Sequence, residues 1–295
     1  MYRFMFAAAL AHFPKMTYQR FKKLWDFFGS PESAWGAEIT EFIRAGWDEN
    51  IAAEFIEWRE KMSLEKMAEE LARENITALT LGEPGYPRLL SEIADPPFVL
   101  FVRGKLPPDE QPAVAIVGTR KCTNYGKQVT EQLASELATH KMVIVSGLAL
   151  GIDGVAHAAT LKAGGTTVAV LGSGIDRKNI YPASHQQLAE QIIAEGGAIV
   201  SEYPPGFEPT LYSFPARNRV IAGLSLGALI TEAPVESGAL ITAKCALDYN
   251  REVFAVPHPI TSTMGAGGNN LRSNIWTNQK ATRDHQKNKK WQKTI

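Results

Sequence analysis

The chain reads as an α/β protein, a doubly wound parallel sheet preceded by a small all-helical domain, and three observations predict this. From about residue 113 apolar strands alternate with helical segments in a regular βαβ rhythm. Those strands are nearly continuous apolar runs, Ala113-Val114-Ala115-Ile116-Val117 being typical, as expected when helices cover both faces of the sheet. From Met1 to about Glu74, by contrast, apolar residues such as Phe21, Leu24, Trp25 and Phe28 recur at spacings of three and four.

The elements follow in order. Pro14, Gly29-Ser30-Pro31 and Gly46 divide the first 75 residues into a bundle of short helices. Residues 76–112 form an ordered connector packing on the core, with Gly85-Tyr86-Pro87, Asp95-Pro96-Pro97 and an apolar strand from Phe98 to Val102. The core spans 113–271, with strands near 113–117, 142–146, 167–171, 198–201, 228–231 and 252–256. Between them fall helices near 125–139, 152–163, 183–195, 215–223 and 238–249. Residues 272–295 are polar and basic, carry seven Lys or Arg against one Asp, and show no helical period. This tail reads as disordered, or as the product of an altered reading frame.

Composition sets bounds. The net charge is zero overall, so with a basic tail the rest is acidic, and any nucleic-acid surface must be a local patch. Cys122 and Cys245 have no paired spacing, which argues against a disulfide framework or a Cys-type zinc site and fits a reducing cytoplasm. The apolar run Phe4 to Ala11 is too short to span a bilayer and reads as a core helix, so no membrane anchoring is expected.

The strand ends carry the chemistry. Met142 to Val145 runs into Ser146-Gly147-Leu148-Ala149-Leu150-Gly151, and a helix starts near Asp153. Small residues turn the backbone there, so N–H groups converge on a point that suits a phosphate. After the first core strand, Gly118-Thr119-Arg120 replaces the G-x-G-x-x-G of a dinucleotide turn with one glycine and a guanidinium suited to a bidentate phosphate contact. A surface Arg paired to a neighbouring carboxylate is the plain alternative.

The third core strand leads to Arg177-Lys178 and Tyr181, cations beside a ring, as single-strand binding uses. Pro215 reads as a helix-starting residue, which leaves Arg217, Asn218 and Arg219 on the first turn. The two Arg cannot share one direction, so one faces a ligand while the other braces against Glu202 or Glu232. Asp153 and His157, four apart, are read as a helix cap and a core histidine rather than a metal or acid–base pair. No G-x-S-x-G elbow or H-E-x-x-H pair occurs, so no catalytic residue and no metal site is expected.

Taken together, V-G-T-R, S-G-L-A-L-G-I-D-G-V-A-H, Y-P, S-E-Y-P, F-P-A-R-N-R, T-E-A and S-G-A-L-I-T-A closely resemble the DprA (Smf) family of DNA-processing proteins, over roughly residues 80–271. The resemblance implies an extended Rossmann-like core behind a small SAM-like helical domain, and a non-enzymatic protein without cofactor. Such a protein binds and protects single-stranded DNA taken up in natural transformation and helps load the RecA recombinase, usually as a homodimer. It puts the DNA contacts at Gly118, Thr119, Arg120, Ser146, Gly147, Lys178 and Tyr181, supported by Arg217, Asn218 and Arg219.

The chain departs from the family pattern at Ala183-Ser184-His185, where many members carry a basic residue, at Pro257-His258, and after Leu271. The main rival is a nucleotide-binding enzyme of the lysine-decarboxylase-like group, a nucleoside-monophosphate phosphoribohydrolase, whose P-G-G-x-G-T signature is missing. An NAD-dependent oxidoreductase is disfavoured by the absent G-x-G-x-x-G and by the lack of an acidic end to the second core strand.

Overall fold

The computed structural model describes residues 3–271; the basic segment 272–295 lies outside the described residues. Six short helices come first: α1 (Arg3–Ala11), α2 (Tyr18–Phe28), α3 (Pro31–Gly36), α4 (Ile39–Arg44), α5 (Glu49–Lys61) and α6 (Leu64–Arg73). Their ends are set locally. Thr17, Ser30, Asp48 and Ser63 each accept a backbone N–H of the following first turn, and Gly29 ends α2 at φ 70°. The bundle closes on aromatic rings: Phe42 and Phe55 are fully buried, and Phe55 meets Phe13, Trp35, Trp47 and Trp58. Phe21 and Leu24 face inward as their spacing predicts, while Trp25 is partly exposed.

The sheet has eight strands. β1 (Ile76–Thr80) and β2 (Val99–Gly104), with α7 (Arg88–Ser91) between them, precede β3 (Ala113–Val117), β4 (Val143–Ser146), β5 (Thr167–Val170), β6 (Ala198–Ser201), β7 (Gly227–Ile230) and β8 (Glu252–Ala255). The order is β1-β2-β6-β5-β4-β3-β7-β8, parallel from β6 to β8 and antiparallel at the β1-β2-β6 edge. Helices α8 (Asn124–Thr139), α9 (Ile152–Lys162), α10 (Gln186–Ala194), α11 (Ser213–Gly223) and α12 (Ala239–Asp248) cover its faces. The connector is thus part of the sheet. Its strand β1, which the hydropathy pattern did not announce, pairs Ile76 with Arg103 through Thr80 with Val99.

Two helix starts differ from the sequence reading. α11 begins at Ser213 rather than Pro215, because Thr210 and Ser213 hydrogen-bond each other's backbone N–H and hold the entry turn. Pro215 then sits inside the first turn, where no N–H is required. The segment 183–185 is a separate 3-10 turn ahead of α10.

The bundle is tied to the sheet by α1, whose Ala7, Ala8 and Ala9 pack in one apolar cluster with β1 and β2 residues, and by the Phe21–Phe98 stack at 4.1 Å. Truncating Phe55 removes the ring that all three neighbouring tryptophans touch. Phe55→Ala is expected to lower stability by about 3–5 kcal/mol, read by urea unfolding followed through tryptophan emission.

Candidate nucleic-acid interface

The carboxyl ends of β3, β4, β5, β6 and β7 bring the sequence-predicted residues other than Arg219 to one edge of the sheet, where ligands of open α/β sheets bind. Beneath that edge lies a buried polar frame. Arg217 is 5% exposed, and its Nη1 donates to Gly147 O at 2.7 Å and to Val170 O. Its Nε donates to Asn218 Oδ1 at 3.2 Å, while Asn218 Nδ2 donates to Gly238 O. Burial draws the Arg217 pKa down to about 10, opposed by the Asp153 carboxylate.

Asp153 accepts the Gly147 N–H at 3.0 Å. Burial pushes its carboxyl above the usual carboxylate value, and Arg217 and the Gly147 N–H oppose that shift. Its task is therefore to hold the strand-end loop; α9 itself is capped by Gly151, which has φ 76° and no side chain to offer. Ser146 donates to Ile116 O at 2.6 Å and is wholly buried. Ser146 and the Gly147 N–H are thus spent inside the frame instead of converging on an anion, and the two residues serve as wall.

Gly147 is required, because a Cβ there would lie 2.7 Å from the Arg217 guanidinium. Leu148, buried, sits at φ 56°, a left-handed conformation that costs a side-chain-bearing residue about 1–2 kcal/mol. Its carbonyl accepts from His185 Nδ1 at 2.9 Å, so this histidine braces the loop.

A second brace holds the loop after β3. Glu232, 2% exposed, accepts from Thr123 N and Thr123 Oγ1, both at 2.7 Å, and its carbonyl accepts from Thr119 N at 2.7 Å. Thr119 is buried and its own carbonyl takes the Ile152 N–H, whereas Arg120 next to it is exposed. Gly118 packs closely against Ile152, leaving no room for a side chain.

Above the frame lies an exposed rim. The Arg120 guanidinium stands over the Phe214 ring at 5.3 Å, and the Tyr181 ring lies 5.5 Å from the same ring. Arg120 and Lys178 have no ion-pair partner among the described residues. Arg177, in contrast, lies 3.5 Å from Glu190. Arg120, Gly147, Leu150, Tyr181, Phe214 and Arg217 surround a notch of about 30 Å³, an order of magnitude below a nucleotide pocket.

Arg219 is apart from this group. It pairs with Glu202, lies 3.5 Å from Asp95, and faces a different cleft. Of the two Arg of α11, then, Arg217 supports the edge and Arg219 is the brace to Glu202. The sequence reading did not single out Phe214, the ring that joins Arg120 to Tyr181; its place beside Pro215 in the first turn of α11 was the available signal. The bracing role of Glu232 was hidden as well, because its partner Thr123 lies 109 positions away, and that of Asp153 because its place near the helix start reads as a cap.

His157 is a core residue bonded through one nitrogen. Its Nδ1 meets Thr167 Oγ1 at 2.7 Å, and since that hydroxyl gives its proton to Ile144 O, Nδ1 carries the hydrogen and Nε2 is a bare buried acceptor. No group of three or more His, Cys, Asp or Glu that would hold a metal occurs among the described residues.

The fold and the edge define an extended Rossmann protein whose strand-end loops present an arginine, a lysine and an exposed tyrosine. The chain belongs to the DNA recombination-mediator protein A family, whose model matches residues 77–287. It is 45% identical over 242 residues to the Smf protein of Synechocystis sp., covering 80% of this chain and 60% of that protein. It is 47% identical over 175 residues to the Smf protein of Escherichia coli, covering 59% of this chain and 46% of that protein. The chain thus spans about half the length of these curated relatives.

The X-ray structure of DNA processing protein A from Streptococcus pneumoniae superposes with a TM-score of 0.76 at 31% identity, covering 92% of each chain. That of Helicobacter pylori, for which a single-stranded DNA binding mode is described, gives 0.59 at 35% identity over 68% of this chain and 87% of that one.

Burial lowers the His157 pKa to about 3. The unfolded chain binds this proton near the ordinary value of 6.5 while the folded chain refuses it, so stability is full above that value and declines as the pH falls toward 3. The decline is at most about 1.4 kcal/mol per pH unit, and His12, also lowered by burial, acts in the same direction. His157→Gln is expected to flatten the dependence of urea-unfolding stability between about pH 7 and pH 5 by roughly one proton; an unchanged slope contradicts the assignment.

Proposed function

We propose that this protein binds and protects single-stranded DNA taken up in natural transformation, and that it helps load RecA onto that strand as a cytoplasmic homodimer without catalysing a reaction. The observation that carries the reading is the rim: Arg120 and Tyr181 both meet the Phe214 ring, and Lys178, exposed and without an ion-pair partner among the described residues, precedes Tyr181 by three positions in the same loop. A guanidinium and an ammonium follow a phosphate backbone, and an exposed ring accepts a base of any identity. The notch of about 30 Å³ beneath favours a strand lying across the rim over a nucleotide held inside an enzyme pocket.

Family membership and the single-stranded DNA binding mode of the Helicobacter pylori relative support the same reading. The RecA and dimer roles rest on the family alone, and because relatives such as the Escherichia coli protein are about twice as long as the matched part, the whole protein's work is proposed with them.

Fluorescence anisotropy with a labelled oligothymidylate tests the rim. Arg120→Ala is expected to weaken binding about tenfold or more, as loss of a charge-assisted phosphate contact does. Tyr181→Ala is expected to cost a similar factor through lost stacking, and Lys178→Ala should reduce the log–log salt slope by roughly 0.7. Wild-type affinity in both Arg120→Ala and Tyr181→Ala would overturn the proposed interface. Release of free base from nucleoside monophosphates would point to the rival enzyme instead.

A further inference from the structure

The Arg217 guanidinium has more N–H groups than the frame uses. Nη1 donates to Gly147 O and Val170 O, and Nε to Asn218 Oδ1. Among the described residues Nη2 makes no hydrogen bond and Arg217 makes no ion pair. Nor is Nη2 sealed from solvent, as Nη1 of Arg103 and Nη1 of Arg219 are. The little surface that Arg217 keeps, 5%, therefore includes this donor.

That surface opens into the notch beneath the rim, which Arg217 lines. Glycine at position 147 leaves Nη2 uncovered, since a Cβ there would lie 2.7 Å from it. Most of the remaining lining is carbon: Ala149, Leu150, Pro182 and the rings of Tyr181 and Phe214. The volume of about 30 Å³ admits an atom the size of a water oxygen and excludes a ring.

An arginine only donates, so the atom that enters must accept, and leaving so buried a donor open is unfavourable. A phosphate oxygen is the poorer candidate. Its charge is met outside the notch by the exposed Arg120 and Lys178, and carbon walls would strip its hydration. A base stacked on the rim instead carries its exocyclic atom in the plane of the ring, on a single bond's reach. Thymine O4, uracil O4 and guanine O6 accept hydrogen bonds, whereas cytosine N4 and adenine N6 donate them. Against Nη2 the second group sets donor against donor.

We infer that the notch reads one base of the bound strand, with Arg217 Nη2 as the specificity-determining donor to an exocyclic keto oxygen. Stacking on the rim tolerates any base, and the notch adds a preference for keto over amino bases at one position. This inference rests on the rim as the path of the strand.

Competition against a labelled oligothymidylate, followed by fluorescence anisotropy on the full chain at fixed salt, tests it. The competitors are oligodeoxyuridylate and oligodeoxycytidylate of equal length. They share a backbone and a pyrimidine ring, so the exocyclic group at C4, with the N3 proton that accompanies it, separates them. Oligodeoxyuridylate is expected to compete at least fivefold better. Ala149→Leu, which fills the notch from its wall, is expected to bring the two within twofold.

Equal competition in the wild type, as a phosphate oxygen in the notch would give, overturns the inference. So does stronger competition by oligodeoxycytidylate, or a preference that Ala149→Leu leaves intact. The wild-type ratio needs no variant to fold. If that ratio is one while Arg120→Ala still weakens binding, the notch reading fails and the rim stands; if neither oligonucleotide binds, both fail.

Discussion

A single buried guanidinium organises the functional edge of this protein. Arg217 carries donors that the apolar interior cannot satisfy, so the backbone comes to it: Gly147 O at the end of β4, Val170 O at the end of β5, and Asn218 on its own helix. Those contacts pin α11 to two strands at once. They also exclude any side chain at position 147 and favour an anionic neighbour, which Asp153 supplies while taking the Gly147 N–H. The left-handed Leu148 follows from the same requirement, since the loop must turn sharply to present the Gly147 carbonyl to the arginine and the Leu148 carbonyl to His185.

The edge therefore has two tiers with different physics. The lower tier, Arg217, Asp153, Asn218, Ser146 and Glu232, is buried and hydrogen-bonded to the strand ends and loops it holds, and losing a member leaves a polar partner stranded. The upper tier, Arg120, Lys178 and Tyr181, is exposed, and Arg120 and Tyr181 meet the Phe214 ring. Substitutions above should change binding while leaving the fold intact, whereas substitutions below should change both. This separation lets binding data on the rim be interpreted without a folding correction.

Much of this architecture was legible in the residues. The apolar runs announced β3 through β8, and the run of small residues after Val145 announced a strand, a tight loop and a helix. β1 escaped notice because Ile76-Thr77-Ala78-Leu79-Thr80 is short and alternates, and its pairing with β2 comes from more than twenty residues away in sequence.

The fate of the two arginines of α11 escaped for a similar reason. Helical geometry says that positions 217 and 219 point apart, but only the carbonyls of two distant strands decide which one is buried at the edge. The same holds for Glu232, whose partner Thr123 lies 109 positions away. Residues whose work is done by exposure, such as Arg120 and Lys178, were easier to name than those whose work is done by a distant partner.

The proposed function requires that a single strand lie across the rim formed by Arg120, Lys178, Tyr181 and Phe214. Photocrosslinking with an oligothymidylate carrying 5-iododeoxyuridine, followed by mass spectrometry of the adducts, tests it most directly. Adducts are expected on Tyr181 and Phe214, and they diminish as salt displaces the strand. Adducts confined to other faces, such as the helices α8 to α10 or the aromatic bundle, with none on the rim, would contradict it.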